Sequence, residues 1–164
     1  MKPGILLSFL LALPLLAQGA AQAPTLAPAS WVLQHPEYKA NPNCIFCKII
    51  ANQAPSKKVY EDDRVLAFWD IKPRAKVHLL VIPKQHVSNL TELEQLPMET
   101  RGALLTACTK VAREAGIATS GFRIIVNSGK DASQSVFHLH FHVVGGEPLP
   151  ADAVRVKPDA PAKS

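Results

Sequence analysis

The chain has 164 residues, 48% of them apolar and 19% charged, which fits one domain with a buried core and disfavours wholesale disorder. The formal charge of +5 comes from scattered basic residues with no long run, which disfavours a nucleic-acid binder built on a phosphate-neutralising patch. Three cysteines are too few for a disulfide scaffold, and no apolar stretch beyond the N-terminus is long enough to span a membrane.

Residues 1–23 read as a secretory signal peptide, so an exported protein, periplasmic or secreted, is expected. Lys2 supplies the charge, Ile5 to Leu16 the apolar region, and Gly19-Ala20-Ala21-Gln22-Ala23 the small residues before a cleavage point. Residues 24–43 hold Pro24, Pro28, Pro36 and Pro42 and read as a proline-rich linker, with Trp31, Val32 and Leu33 as a local apolar cluster. The folded domain is expected over residues 44–146, and residues 147–164 as an irregular tail.

Within that domain the spacing predicts a short helix from Cys44 to Ala51. Strands are predicted at Val59-Tyr60, at Val65 to Trp69 and at His78 to Ile82, the last ended by Pro83. One long helix is predicted over residues 97–115, with Pro97 in its first turn, Glu99 near its positive end and Gly116 beyond its C-terminus. Its apolar stripe is Leu104, Cys108, Val111 and Ala115. A fourth strand is predicted at Phe122 to Val126 and a fifth at Val136 to Val144. The fold class that follows is α+β: a five-stranded antiparallel sheet with one long helix and a short N-terminal helix.

The fifth strand carries His138-Leu139-His140-Phe141-His142. Strand alternation places His138, His140 and His142 on one face and Leu139, Phe141 and Val143 on the other. At roughly 6.8 Å per two residues the outer two imidazoles start about 13–14 Å apart. Imidazole ligates metals and acts as nucleophile or acid–base near neutral pH. Such a row spread along a strand suits phosphate handling better than one metal ion. Upstream, Asn127-Ser128-Gly129-Lys130 and Ser133-Gln134-Ser135 form a loop that can offer hydroxyls, amides and backbone N–H groups to a phosphate.

These residues resemble the histidine triad (HIT) family. The resemblance runs through Cys44 to Ile50, Tyr60 to Asp63, Ala67 to Ile71, His78 to His86, and Asn127-x-Gly129 with Gln134 to Val144. It is similar to the adenosine phosphoramidase branch and implies a hydrolase of purine nucleotide phosphoramidates, or a nucleotidyl transferase. The resemblance implies His140 as the nucleophile that forms a nucleotidyl-histidine. It implies His142 as holding the phosphate or protonating the departing side, Ser135 as hydrogen-bonding the leaving group, and His138 and His78 as orienting the site. Asp70 matches a ribose-hydroxyl acceptor, Phe46, Ile49, Phe68 and Ile71 an apolar base pocket, and Asn127 and Gln134 the nucleotide-binding loop. Ser133 stands where many members carry glycine, and the tail after Gly146 departs from the family's tails. Homodimerisation through joined sheets is implied, with Leu104, Cys108 and Val111 near the interface or core. No cofactor is implied for catalysis. The alternatives are a dinucleoside polyphosphate hydrolase, or a non-catalytic nucleotide- or zinc-binding module.

Cys44-x-x-Cys47 leaves three readings open: a redox dithiol, a disulfide or free thiols, and a metal site. In some bacterial members a matching pair joins two histidines, which implies a structural zinc held by Cys44, Cys47, His86 and His138. Cys108 lies on the apolar stripe and reads as packing.

Overall fold

The computed structural model describes residues 41–150, so the expected signal segment, most of the linker and residues 151–164 lie outside the described residues. Helix α1 is Ile45–Ile50 and helix α2 is Met98–Glu114. The strands are β1 Lys58–Glu61, β2 Val65–Trp69, β3 Val77–Pro83, β4 Phe122–Val126 and β5 Phe141–Gly145. All neighbours are antiparallel, in the order β1-β2-β3-β5-β4. This is the expected α+β architecture. No helix among the described residues is long and apolar enough to cross a membrane.

The sheet is covered on both faces, which explains why β2 and β3 are continuous apolar runs rather than alternating ones. Val65, Ala67, Leu79 and Val81 join Leu104, Cys108 and Val111 of α2 in one core. Leu66, Phe68, Leu80 and Ile82 join Phe46, Ile49 and Ile50 of α1 in another, on the opposite face. Leu104, Cys108 and Val111 are thus buried within the protomer, at 0–1% exposure. Burial pushes the Cys108 thiol up to about 12, which leaves it an inert packing group. Helix α2 ends where Gly116 takes φ +73°, a left-handed conformation that glycine adopts without a Cβ penalty.

Two segments depart from expectation. A 3-10 helix, Leu90–Gln95, lies outside the predicted elements: its Leu90, Leu93 and Leu96 recur every three residues, but the run is too short to mark a helix. Local side chains hold it: Asn89 Oδ1 accepts from the Thr91 N–H at 2.9 Å, and Glu92 Oε2 from the Ser88 N–H at 2.6 Å. The fifth strand begins at Phe141, not Val136. Extending the register would set Leu139 against Pro83, which has no N–H to give. The Leu139 N–H donates instead to the Val87 carbonyl at 2.7 Å, and the His138 N–H to the Val136 carbonyl at 2.9 Å. Of the three clustered histidines only His142 sits in the ladder. The other two sit on an approach segment that is free to bend.

Candidate active site

The alternation of faces survives the bend. Leu139, Phe141 and Val143 enter the α2 core, while Phe46 of α1 packs edge-on against both His138 and His140, at 5.8 and 5.4 Å between ring centroids. His140 and His142 lie 4.9 Å apart, centroid to centroid. His78, opposite Val144 in the register, is the diagonal neighbour of His142 and reaches it at 2.9 Å, Nε2 to Nδ1.

Backbone contacts assign the protons. His140 Nδ1–H donates to the His138 carbonyl at 2.6 Å, so Nε2 keeps its lone pair. The Arg74 backbone N–H donates to His78 Nδ1 at 3.1 Å, so the neutral His78 ring carries its proton on Nε2 and donates to His142 Nδ1. His142 in turn carries its proton on Nε2, a buried atom with no partner among the described residues. The site therefore presents one free lone pair, on His140, beside one unsatisfied N–H donor, on His142. Burial holds all three rings neutral. It lowers His78 and His140 below the usual histidine value, and it brings His142, with His140 and His78 adding to the effect, down to about 4.

His140 and His142 open into a cleft of about 490 Å³, a volume suited to a small-molecule ligand. Phe46, Ile49, Phe68, Asp70, Ile71 and Ser135, all named from the sequence, line it. Ile71 does so as a 90% exposed rim residue rather than a buried wall. Asp70 accepts the Lys72 N–H at 2.8 Å through Oδ1, and its Oδ2 lies 3.5 Å from His78 Nε2. Ile45, Ala54, Pro55, Ser56, Trp69, Lys72, Leu80 and Val136 complete the walls; as ordinary helix, loop and strand residues they carry no chemical signature in the sequence.

Two expected loop residues do not line the cleft. Asn127 lies half-buried just past β4. Gln134 is 5% exposed and its amide is engaged by backbone: Oε1 accepts from Gly129 N–H, and Nε2 donates to the Ser88 and Val136 carbonyls. Gln134 therefore shapes the loop that presents Ser135, and has no donor left for a nucleotide. Ser133 in the same loop holds φ +60°, a left-handed conformation that costs a non-glycine residue roughly 1 kcal/mol.

His138 faces away from the cleft. Its Nε2–H donates to the Pro83 carbonyl at 2.8 Å, which turns the Nδ1 lone pair toward a cluster of Cys44, Cys47 and His86. His138 Nδ1 lies 3.5 and 3.6 Å from the sulfurs of Cys44 and Cys47 and 3.2 Å from His86 Nδ1, and Cys47 Sγ lies 3.3 Å from His86 Nδ1. A tetrahedral zinc with ordinary bond lengths sets its sulfur and nitrogen ligands about 3.6 Å apart and two nitrogens about 3.3 Å apart. The donor set fits that metal in identity, number and spacing. The thiol of Cys47 beside it, and then His138, hold the Cys44 thiol down to about 3 against its burial, and the same contact with burial pushes Cys47 up. The pair thus shares a thiolate, the form a cation binds. No disulfide joins the two cysteines. Asp70, His78 and His142 also cluster, but the proton that Arg74 forces onto His78 Nε2 occupies the ligand position.

The HIT domain family profile matches residues 51–149. The chain belongs to the HIT family. Among relatives of this HIT protein is the purine nucleoside phosphoramidase of Escherichia coli K12, 40% identical over 105 residues, which are 64% of this chain and 88% of the relative. A HIT family hydrolase from Clostridium thermocellum superposes with a TM-score of 0.67 at 43% identity, over 70% of this chain and all of that one. A zinc-bound histidine triad family protein from Mycobacterium smegmatis superposes with a TM-score of 0.54 at 41% identity, over 62% of this chain and 73% of that one.

The lowered histidines make stability depend on pH. Unfolded histidine takes up a proton near 6.5, whereas folded His142 does so only near 4, so the unfolded state binds more protons between those values. The unfolding free energy is therefore full above pH 6.5 and falls as pH drops toward 4. Urea titrations at pH 7.5, 6 and 5 check this, with His142→Gln as the reference, which should flatten part of the slope. Equal slopes for the two proteins would contradict the assignment.

Proposed function

We propose that this protein hydrolyses purine nucleoside phosphoramidates through a nucleotidyl-histidine intermediate. The carrying observation is the pair of opposed ring nitrogens in the cleft: a lone pair on His140 Nε2 and a free N–H on His142 Nε2. The lone pair attacks the α-phosphorus. A bond forms from Nε2 to phosphorus, the P–N bond to the amine breaks, and the amine leaves with the electron pair and takes up a proton. Water then attacks phosphorus and releases His140, giving the nucleoside monophosphate. Covalent capture divides one hard displacement into two easier ones.

The residues have distinct parts in this scheme. The His138 carbonyl receives the Nδ1–H of His140 and stabilises the cationic ring of the intermediate. His142 Nε2–H is placed to hold a phosphate oxygen, with its tautomer set through His78 and Arg74. Ser135 serves the leaving atom, and Asp70 the ribose hydroxyls. Phe46, Ile49 and Phe68 stack the base. The substrate class is also supported by the phosphoramidase relative.

Adenosine 5′-phosphoramidate is the first substrate to test. The wild-type protein should release AMP, and His140→Ala should lower turnover at least about 10³-fold while AMP binding, read by calorimetry, is kept. Turnover surviving in His140→Ala would remove the covalent mechanism.

We also infer a structural zinc held by Cys44, Cys47, His86 and His138. It would tie α1 to the segment after β3 and to the histidine stretch, and supply no step of the reaction. The zinc-bound Mycobacterium smegmatis protein supports the same reading. Purified protein should hold one zinc per chain, and Cys47→Ser should lose both the metal and several degrees of melting temperature. A metal-free wild type with the same melting temperature after zinc addition would refute it.

An exported location rests on residues 1–23. A homodimer is supported by β4, an edge strand whose Ile125 is 37% exposed. Light scattering at low micromolar concentration should give twice the chain mass; a single-chain mass would count against it.

A further inference from the structure

Past His142, on the same face of the sheet, lies a second cavity of about 220 Å³. The register explains its walls. Residues directly opposite in an antiparallel pair share a face, and Val144 pairs with both His78 and Arg123 while His142 pairs with Ile125. These side chains, with Arg74 before β3 and Leu149-Pro150 after β5, enclose the space. His142 borders both this cavity and the cleft, whereas His140 borders the cleft alone. A group attached to the phosphorus and passing His142 would enter here.

The cavity is cationic. Two guanidinium side chains line it, and no carboxylate among the described residues does. Arg123 Nη2 donates to the Pro150 carbonyl at 3.0 Å, which draws Leu149-Pro150 in as a wall. Arg74 is held beside His78 by its backbone N–H, and its positive charge is felt at both His78 and His142. Another cavity next to the site, beyond Ser135, is lined by Asn41, Asn43, Cys44, Ile45, Val136 and Phe137 and holds no cationic side chain among the described residues. The exit past His142 is therefore the one whose charge favours an anion.

We propose that this cavity receives the leaving group and favours leaving groups that carry an anion, with Arg74 as the main selecting charge. The inference rests on the phosphoramidate-hydrolase reading of the neighbouring cleft. When the bond to phosphorus breaks, the departing amine keeps its electron pair, takes a proton, and remains paired through its anion to Arg74. By liquid volume the cavity holds roughly seven waters, enough for a short amine ending in a carboxylate. A carboxylate and a phosphate present the same acceptor chemistry to a guanidinium, so the leaving group could be an amino acid or a polyphosphate.

The experiment compares AMP joined through nitrogen to β-alanine, AMP joined to propylamine, and diadenosine polyphosphate. In wild type kcat/KM should favour the β-alanine conjugate over the propylamine one. Arg74→Glu should lower that ratio about tenfold, a size within reach of partly exposed charge pairs. A faster diadenosine polyphosphate, equally sensitive to Arg74→Glu, would identify phosphate as the anion. An unchanged ratio in a folded Arg74→Glu protein would overturn the proposal. Binding separates the two readings. Non-hydrolysable sulfamoyl adenosines carrying the same two amine groups should show the same preference in Kd, lost in Arg74→Glu. Inert conjugates with that Kd preference intact would refute the hydrolase reading and keep the subsite. Equal Kd values would refute the subsite whatever the turnover.

Discussion

A neutral imidazole carries one proton and must place it on one of two nitrogens. In this protein backbone groups make the choice for His78, His138 and His140. The His138 carbonyl takes the Nδ1 proton of His140, and the Pro83 carbonyl takes the Nε2 proton of His138. The Arg74 amide fills Nδ1 of His78 and so sets His142 one step further on. A side chain can rotate away from a side-chain partner, but a carbonyl fixed by a sheet and its approach segment cannot move without the fold moving. The chemistry is preorganised because its hydrogen bonds end on the main chain.

The bend before β5 makes this possible. A strand running straight from Val136 would leave His138 and His140 carbonyls in the ladder. Because Pro83 cannot donate an N–H, pairing stops at Phe141 and the His138 carbonyl is free to accept from the side chain two residues on. The same release lets His138 turn its other nitrogen toward Cys44 and Cys47. One residue thus joins the cysteine cluster to His140, through its ring on one side and its backbone on the other.

Much of this was legible in the chain. The β2 and β3 runs, the long helix and β4 were readable because their patterns are strong and local. The clustered histidines stated the chemistry, and Cys44-x-x-Cys47 stated a thiol pair. What the sequence did not disclose was non-local. The start of β5 depended on the partner strand rather than on its own residues. Gln134 looked like a ligand-binding amide, and only the fold shows its amide taken up by Gly129, Ser88 and Val136. The 3-10 segment at Leu90–Gln95 offered only one short run of leucines three residues apart, too brief to mark a helix. Arg74 gave no sign, because a lone exposed arginine in a loop is ordinary until the sheet register sets it beside His142's cavity.

The sheet order has a consequence for distance. β5, which carries His142, is separated from the outer edge by β4 alone. Strands stack about 4.8 Å apart, so a second sheet continuing across that edge through its own β4 would bring its β5 within about 14–15 Å, three strand spacings away. Two reaction centres would then share one short rigid bridge of paired backbone. A ligand that shifted β4 in one copy would press directly on the neighbouring copy's edge, with no loop between them to absorb the displacement.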